Sequence, residues 1–139
     1  MKKILKKRNL CLFVCLVVGF LAAGSVSVAQ DKSDEELKKE YAPILGEYEF
    51  VLGGQTEILR FYIESGDLWA DSGDGRPATM QPVEDEVFKF RAEDPINGVF
   101  ELTFSKDDQG EYTICTLFHS QSGTEAKGEK IRNEIRQPY

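Results

Sequence analysis

The stretch Asp67-Leu-Trp-Ala-Asp71-Ser-Gly-Asp74-Gly-Arg76 gathers three carboxylates and two glycines within ten residues, the raw material of a cation-binding loop. A calcium loop of the EF-hand kind needs oxygen ligands at alternate positions and a bidentate Glu at the twelfth. Counted from Asp71, the third and fifth positions are Gly73 and Gly75 and the twelfth is Pro82, so the spacing fails. Asp74-Gly75 between two strand-like runs is instead what a chain reversal requires, because glycine accepts a positive φ, with a weak, adventitious cation site among Asp67, Asp71 and Asp74 as the alternative.

Nucleophilic chemistry fares no better. His119 is the single histidine, so a Ser-His-Asp triad has no other base to use. No Gly-x-Ser-x-Gly elbow precedes it, no Ser-x-x-Lys occurs, and Ser120 and Ser122 stand in a turn-like Ser-Gln-Ser-Gly. One histidine and Cys115, four residues before it, cannot supply the three or four ligands of a zinc site. Glu84 and Glu86 share a face if extended, as a glycosidase pair would, but Glu-Asp-Glu reads better as a solvated turn. The expectation is therefore no catalytic residues, no metal site and no cofactor. Cys115, between Ile114 and Thr116, reads as a small buried hydrophobe, with an exposed thiol in a disulfide dimer as the alternative.

Binding is the chemistry left. Nine Phe, five Tyr and one Trp are many for this length, and most fall at strand positions. Core packing accounts for such a set. A sharper reading makes Tyr62, Trp69, Phe88 and Tyr112 the lining of a barrel mouth that holds a small apolar ligand.

The elements that must position these residues are mostly strands. Asp34 to Tyr41 reads as a short helix, with Ser33 as N-cap and Glu36 at capping-box spacing. Leu37 and Tyr41 give it one apolar stripe, and Pro43 stops it. Alternating runs follow at Leu45–Leu52, Thr56–Glu64, Leu68–Ala70, Ala78–Gln81, Val87–Ala92, Val99–Ser105 and Tyr112–His119, with a last polar run through Ile131. Tyr48 and Phe50 alternate with Glu47 and Glu49; Leu59, Phe61 and Ile63 alternate with Arg60, Tyr62 and Glu64; Phe100, Leu102 and Phe104 alternate with Glu101 and Thr103. About eight short strands separated by Gly, Asp, Asn or Pro predict an all-β fold. At this length a single small antiparallel meander β-barrel with a short N-terminal α-helix suits them better than a two-sheet sandwich, and closure removes the exposed edges.

The chain begins as a targeting signal. Met1 to Arg8 is basic, Leu10 to Ala23 is almost unbroken apolar, and Ser27-Val28-Ala29 offers small residues for cleavage before Gln30. The apolar run is shorter than the ~20 residues that span a bilayer. Cys11 follows Leu10 and Cys15 follows Val14, so neither has the small residue that lipid attachment wants before it. The expected organisation is a signal peptide at 1–29, a polar leader with the helix at 30–44, a barrel at 45–135 and a tail at 136–139. Cleavage after Ala29 leaves 110 residues with 12 Lys+Arg against 24 Asp+Glu, a net charge of −12 where the whole sequence carries −7. Such acidity disfavours nucleic acid and anionic membranes as partners, and no stable membrane insertion is expected after signal removal. With Cys115 as the one remaining cysteine, no internal disulfide forms, and the core alone must hold the fold.

Several of these residues together also resemble a known domain. They are Gly46-Glu-Tyr48, Leu68-Trp69 after an acidic turn, Pro82-Val-Glu-Asp-Glu-Val-Phe88, Phe100-Glu-Leu-Thr-Phe104, the Lys106-Asp-Asp-Gln-Gly110 turn and the closing Ala126-Lys-Gly-Glu-Lys-Ile131. From Tyr41 to Ile131 the chain resembles the small lipocalin-like barrel domain of unknown role. That domain is found C-terminal to penicillin-binding-protein-like and β-lactamase-related serine hydrolases, and sometimes alone in secreted bacterial proteins. The resemblance implies a barrel and brings no catalytic residues. Two functions stand as expectations for a secreted or periplasmic, non-enzymatic barrel. One is a carrier of a small hydrophobic ligand. The other is a protein-interaction accessory with a filled barrel, docking onto an envelope protein or hydrolase.

Overall fold

A computed structural model describes residues 31–133; the expected signal peptide at 1–29 and the tail at 136–139 lie outside the described residues. One helix, α1 (Asp34–Tyr41), precedes eight strands: β1 (Gly46–Leu52), β2 (Gln55–Glu64), β3 (Asp67–Asp71), β4 (Ala78–Pro82), β5 (Lys89–Asp94), β6 (Gly98–Lys106), β7 (Tyr112–His119) and β8 (Thr124–Asn133). Each strand pairs antiparallel with the next, and β8 returns to β1, so the sheet closes into an all-β meander barrel.

The period-two alternation of the sequence sets which side chains fill it. Tyr48, Phe61 and Phe104 meet edge-to-face at the centre, with ring centroids 5.0–5.4 Å apart. Their outward neighbours carry charge: Glu47 lies in register with Arg60 on β2 and Arg132 on β8, at 3.7 and 3.6 Å. The Phe50 ring packs against Gly128 on β8, where an added Cβ would stand 2.5 Å from the ring. Gly46 starts β1 at φ +134°, with room for no side chain, because a Cβ there would stand 2.1 Å from the Arg132 carbonyl oxygen.

The helix closes one end. Its capping box forms as the sequence predicts: the Glu36 N–H donates to the Ser33 hydroxyl at 3.3 Å, and the Glu36 carboxylate accepts the Ser33 N–H at 2.9 Å. Asp34 then reaches across to the β2–β3 turn and accepts the N–H groups of Ser65 and Gly66 at 3.2 and 2.6 Å. Leu37 is buried, and Tyr41 packs edge-on against Phe90 at 5.5 Å. Below it the Tyr48 hydroxyl donates to the Ile44 carbonyl, and the Lys130 ammonium donates to the Pro43 carbonyl while standing 5.4 Å over the Tyr48 ring. Burial pushes the Tyr48 phenol well above its usual range and draws the Lys130 ammonium down.

Several boundaries differ from the sequence expectation by one or two residues. β5 begins at Lys89, two residues after Val87, because the Val83 N–H closes a turn onto the Lys89 carbonyl at 2.9 Å with Asp85 and Phe88 at positive φ. β8 continues to Asn133, past Ile131, because β1 supplies pairing partners as far as Gly46.

Candidate functional site

The end of the barrel opposite α1 is not filled. A cavity of about 690 Å³ opens there among the β1–β2 turn, the β3–β4 loop and the β5–β6 turn. Its origin lies in side-chain size. Ala70 on β3 and Ala78 on β4 are register partners on the inward face, and Ala92 follows on β5. Three adjacent strands thus offer methyl groups where β1, β2, β6 and β7 offer Phe50, Leu59, Phe100 and Leu117. The large side chains cannot reach across, and the space stays open. Its volume falls within the roughly 300–1,000 Å³ typical of small-molecule pockets.

The rim is polar and mostly acidic. Glu57 is the cross-strand partner of Phe50 and shares the inward face of β2 with Leu59 and Phe61. Asp74 and Arg76, in the β3–β4 loop, form a salt bridge at 3.0 Å. Asp94, at the end of β5, accepts the backbone N–H groups of Ile96 and Asn97 at 2.7 and 2.9 Å. The N–H donors of Asn97 and Ile96 hold the Asp94 carboxyl below its ordinary range, and the Arg76 N–H and guanidinium do the same for Asp74. Both stay ionised through any neutral or mildly acidic solution.

His119 fixes this end from the side. Its Nε2 stands 2.6 Å from the Asn97 carbonyl, which can only accept, so Nε2 carries a proton. Its Nδ1 lies 2.6 Å from the Ser122 hydroxyl, and the ring lies 4.8 Å from Phe100. One imidazole therefore ties the β5–β6 turn to the β7–β8 turn. A Ser–His contact is also what a nucleophile and its base require. Here the Ser122 oxygen also accepts the Thr124 N–H and bonds the Thr124 hydroxyl, and neither His119 nor Ser122 lines the cavity.

The four aromatics expected to line a ligand site, Tyr62, Trp69, Phe88 and Tyr112, stand away from this cavity. Tyr62 and Trp69 are register partners on the outer face of β2 and β3, because Phe61, Ile63, Leu68 and Ala70 take the inner positions. The Trp69 indole N–H donates to the Glu64 carbonyl at 3.0 Å. Phe88 and Tyr112 stack edge-on at 4.8 Å beside Tyr41, at the closed end under the helix. None of the four touches the cavity. The residues that do (Glu57, the inward alanines and the Asp74–Arg76 pair) carry a weak signal in sequence. Glu57 stands on the inward face just ahead of the apolar series Leu59, Phe61 and Ile63, and the alanines occupy inward positions with little side chain to fill them.

The remaining candidates resolve locally. Asp71 accepts the Gly73 N–H at 2.7 Å and Asp74 the Arg76 N–H at 3.0 Å, so the aspartates of this loop fold it upon itself. Asp67 starts β3 and Asp71 ends it, so the three carboxylates do not converge. Glu84 and Glu86 stand exposed on the turn before β5. Cys115 is fully buried on the inner face, paired with Phe104 and Gly128, and burial pushes its thiol far above the usual range.

No protein-family model, curated protein or solved structure matches the chain at a significant level.

Proposed function

We propose that this protein is a secreted or periplasmic, non-enzymatic carrier of a small hydrophobic ligand. The observation behind the reading is the cavity of about 690 Å³ with an apolar floor and a polar rim. A barrel of eight strands stands at the size where the interior is either just filled or just able to hold one small ligand. The basic and apolar segments before Gln30 support export, and the lack of a second mature cysteine is compatible with an oxidising compartment. The resemblance to the lipocalin-like domain that accompanies envelope serine hydrolases belongs to the same proposal and extends it to a bacterial envelope setting.

A second reading, docking onto an envelope protein, draws on Val51 and Ile58. They stand 65 % and 44 % exposed on the outer face of β1 and β2. Two side chains are far short of the several hundred Å² of contiguous apolar surface that marks a docking face. The carrier reading is therefore preferred.

Native mass spectrometry of the mature protein, purified from the periplasm of its own host, tests the proposal. The expected result is a small co-purifying mass that leaves on denaturation. An empty protein that also fails to take up the neutral probe N-phenyl-1-naphthylamine would reject a ligand-holding barrel.

A further inference from the structure

The charge around the cavity selects among hydrophobic ligands. Three carboxylates, of Glu57, Asp74 and Asp94, border the space against a single guanidinium, that of Arg76. Arg76 is already engaged, its Nη2 donating to Asp74 at 3.0 Å, so it offers little to an incoming anion. Asp94 is tied to its own turn by backbone donors and keeps its charge. Glu57 forms no salt bridge and no side-chain hydrogen bond among the described residues. It stands on the inward face directly across from Phe50, where the apolar floor meets the rim. The rim thus carries a net charge of −2 above an apolar cup, in a chain that is itself acidic. A fatty carboxylate entering tail-first would bring its head group against like charge, whereas a protonated amine would meet complementary charge.

We infer that the cup takes an amphiphile with an apolar body and a cationic amine head, the body against Phe50, Leu59, Ala78, Phe100 and Leu117 and the amine at Glu57 and Asp94. This inference rests on the carrier reading and names the ligand class for it. The polar end stays at the mouth, where water still reaches it, so the ammonium is only partly desolvated and the carboxylates supply what water gives up. Attraction of this kind weakens with salt, because the rim groups are exposed and the Debye length is only ~8 Å at physiological ionic strength.

The test compares three eight-carbon probes on the mature protein at pH 7, by displacement of N-phenyl-1-naphthylamine. Octylamine, octanol and octanoate share one tail and differ only in head group. The expected order of affinity is amine, then alcohol, then carboxylate, with roughly tenfold between the amine and octanoate at low salt and less at high salt. Glu57→Gln removes one charge without removing a hydrogen bond that the fold uses, and should weaken octylamine several-fold while leaving octanol unchanged. Glu101→Gln on the outer face of β6 serves as the control and should change neither. Octanoate binding as tightly as octylamine, or an amine preference that Glu57→Gln leaves intact, would overturn the head-group assignment and leave the carrier reading standing. No displacement by any of the three, in a protein that does not take up the neutral probe either, would overturn both.

Discussion

The two ends of this barrel are made by the same eight strands and the same alternation, yet one is solid and the other hollow. Toward α1 the inward positions hold Tyr48, Phe61, Phe90 and Phe104, packed edge-to-face, with Phe90 and Phe104 centroids 6.0 Å apart. The Tyr41, Phe88 and Tyr112 rings are stacked over them. Toward the β1–β2 turn the inward positions of β3, β4 and β5 hold Ala70, Ala78 and Ala92, which line the cavity. The polar groups divide the same way. At the closed end they serve the fold: Asp34 caps a turn, and the Tyr48 hydroxyl and the Lys130 ammonium satisfy backbone carbonyls. At the open end Glu57 points at the cup without a partner among the described residues, and Asp74, Arg76 and Asp94 ring it. The comparison teaches that the packed core and the open cavity are kept apart along one axis, so each can be altered without the other.

The largest effect should come from emptying the solid end. Phe104→Ala removes a ring that packs against Tyr48, Phe61 and Phe90, and should cost about 3–5 kcal/mol in urea unfolding. Leu59→Ala at the half-buried edge of the cup should cost about 1 kcal/mol, because its side chain already borders open space. Equal costs would dissolve the contrast between the ends.

Filling the hollow end sharpens it. Ala78→Leu places an isobutyl group in the cavity, so uptake of N-phenyl-1-naphthylamine should fall by roughly tenfold or more, about 1.4 kcal/mol. The urea midpoint should stay put or rise, because the new side chain meets space rather than neighbours. A loss of stability comparable to that of Phe104→Ala would mean that the space is already occupied by protein.

Acid acts on both ends, and more gently. Asp94 and Asp74 at the rim are held below the ordinary carboxylate range by backbone and guanidinium donors. Asp107 in the β6–β7 turn is held down by the Glu111 N–H and the Thr113 hydroxyl. A carboxyl whose folded pKa is depressed contributes stability above the unfolded value of ~3.9 and loses it as pH falls through the folded value. The urea midpoint should therefore decline as pH drops below about 4, and Asp107→Asn should flatten that decline. A midpoint that climbs on acidification would contradict the sign.

The smallest expected effect is on the outer face. Trp69→Ala should leave probe uptake unchanged and reduce stability modestly, since the indole covers the barrel wall and donates to Glu64. A large loss of uptake would return Trp69 to the binding site.

Much of the scaffold was legible in the sequence because its signals are local. The Ser33–Glu36 capping box, the Pro43 stop, and the alternation through Phe61 and Phe104 depend on neighbours a few residues away. The cup was not legible, because Ala70, Ala78 and Ala92 meet only when three strands pair, and a small side chain announces nothing alone. The aromatic candidates stand away from the cup for a related reason. Ring size makes Trp69 and Tyr62 conspicuous, while the alternation through Phe61, Ile63 and Leu68 already directs both outward. Phe88 was read as part of a strand, and the turn at Asp85 instead swings it beneath the helix.

The central claim is that the open end, and not the helix end or the outer wall, receives the ligand. Backbone amide NMR of the mature protein, titrated with N-phenyl-1-naphthylamine, tests it most directly. Shifts gathered at Leu59, Ala78, Ala92 and Leu117, with Tyr41, Phe88 and Tyr112 unmoved, are the predicted result. Shifts centred on Tyr62 and Trp69 or on the helix end, or none at saturating probe, would contradict it.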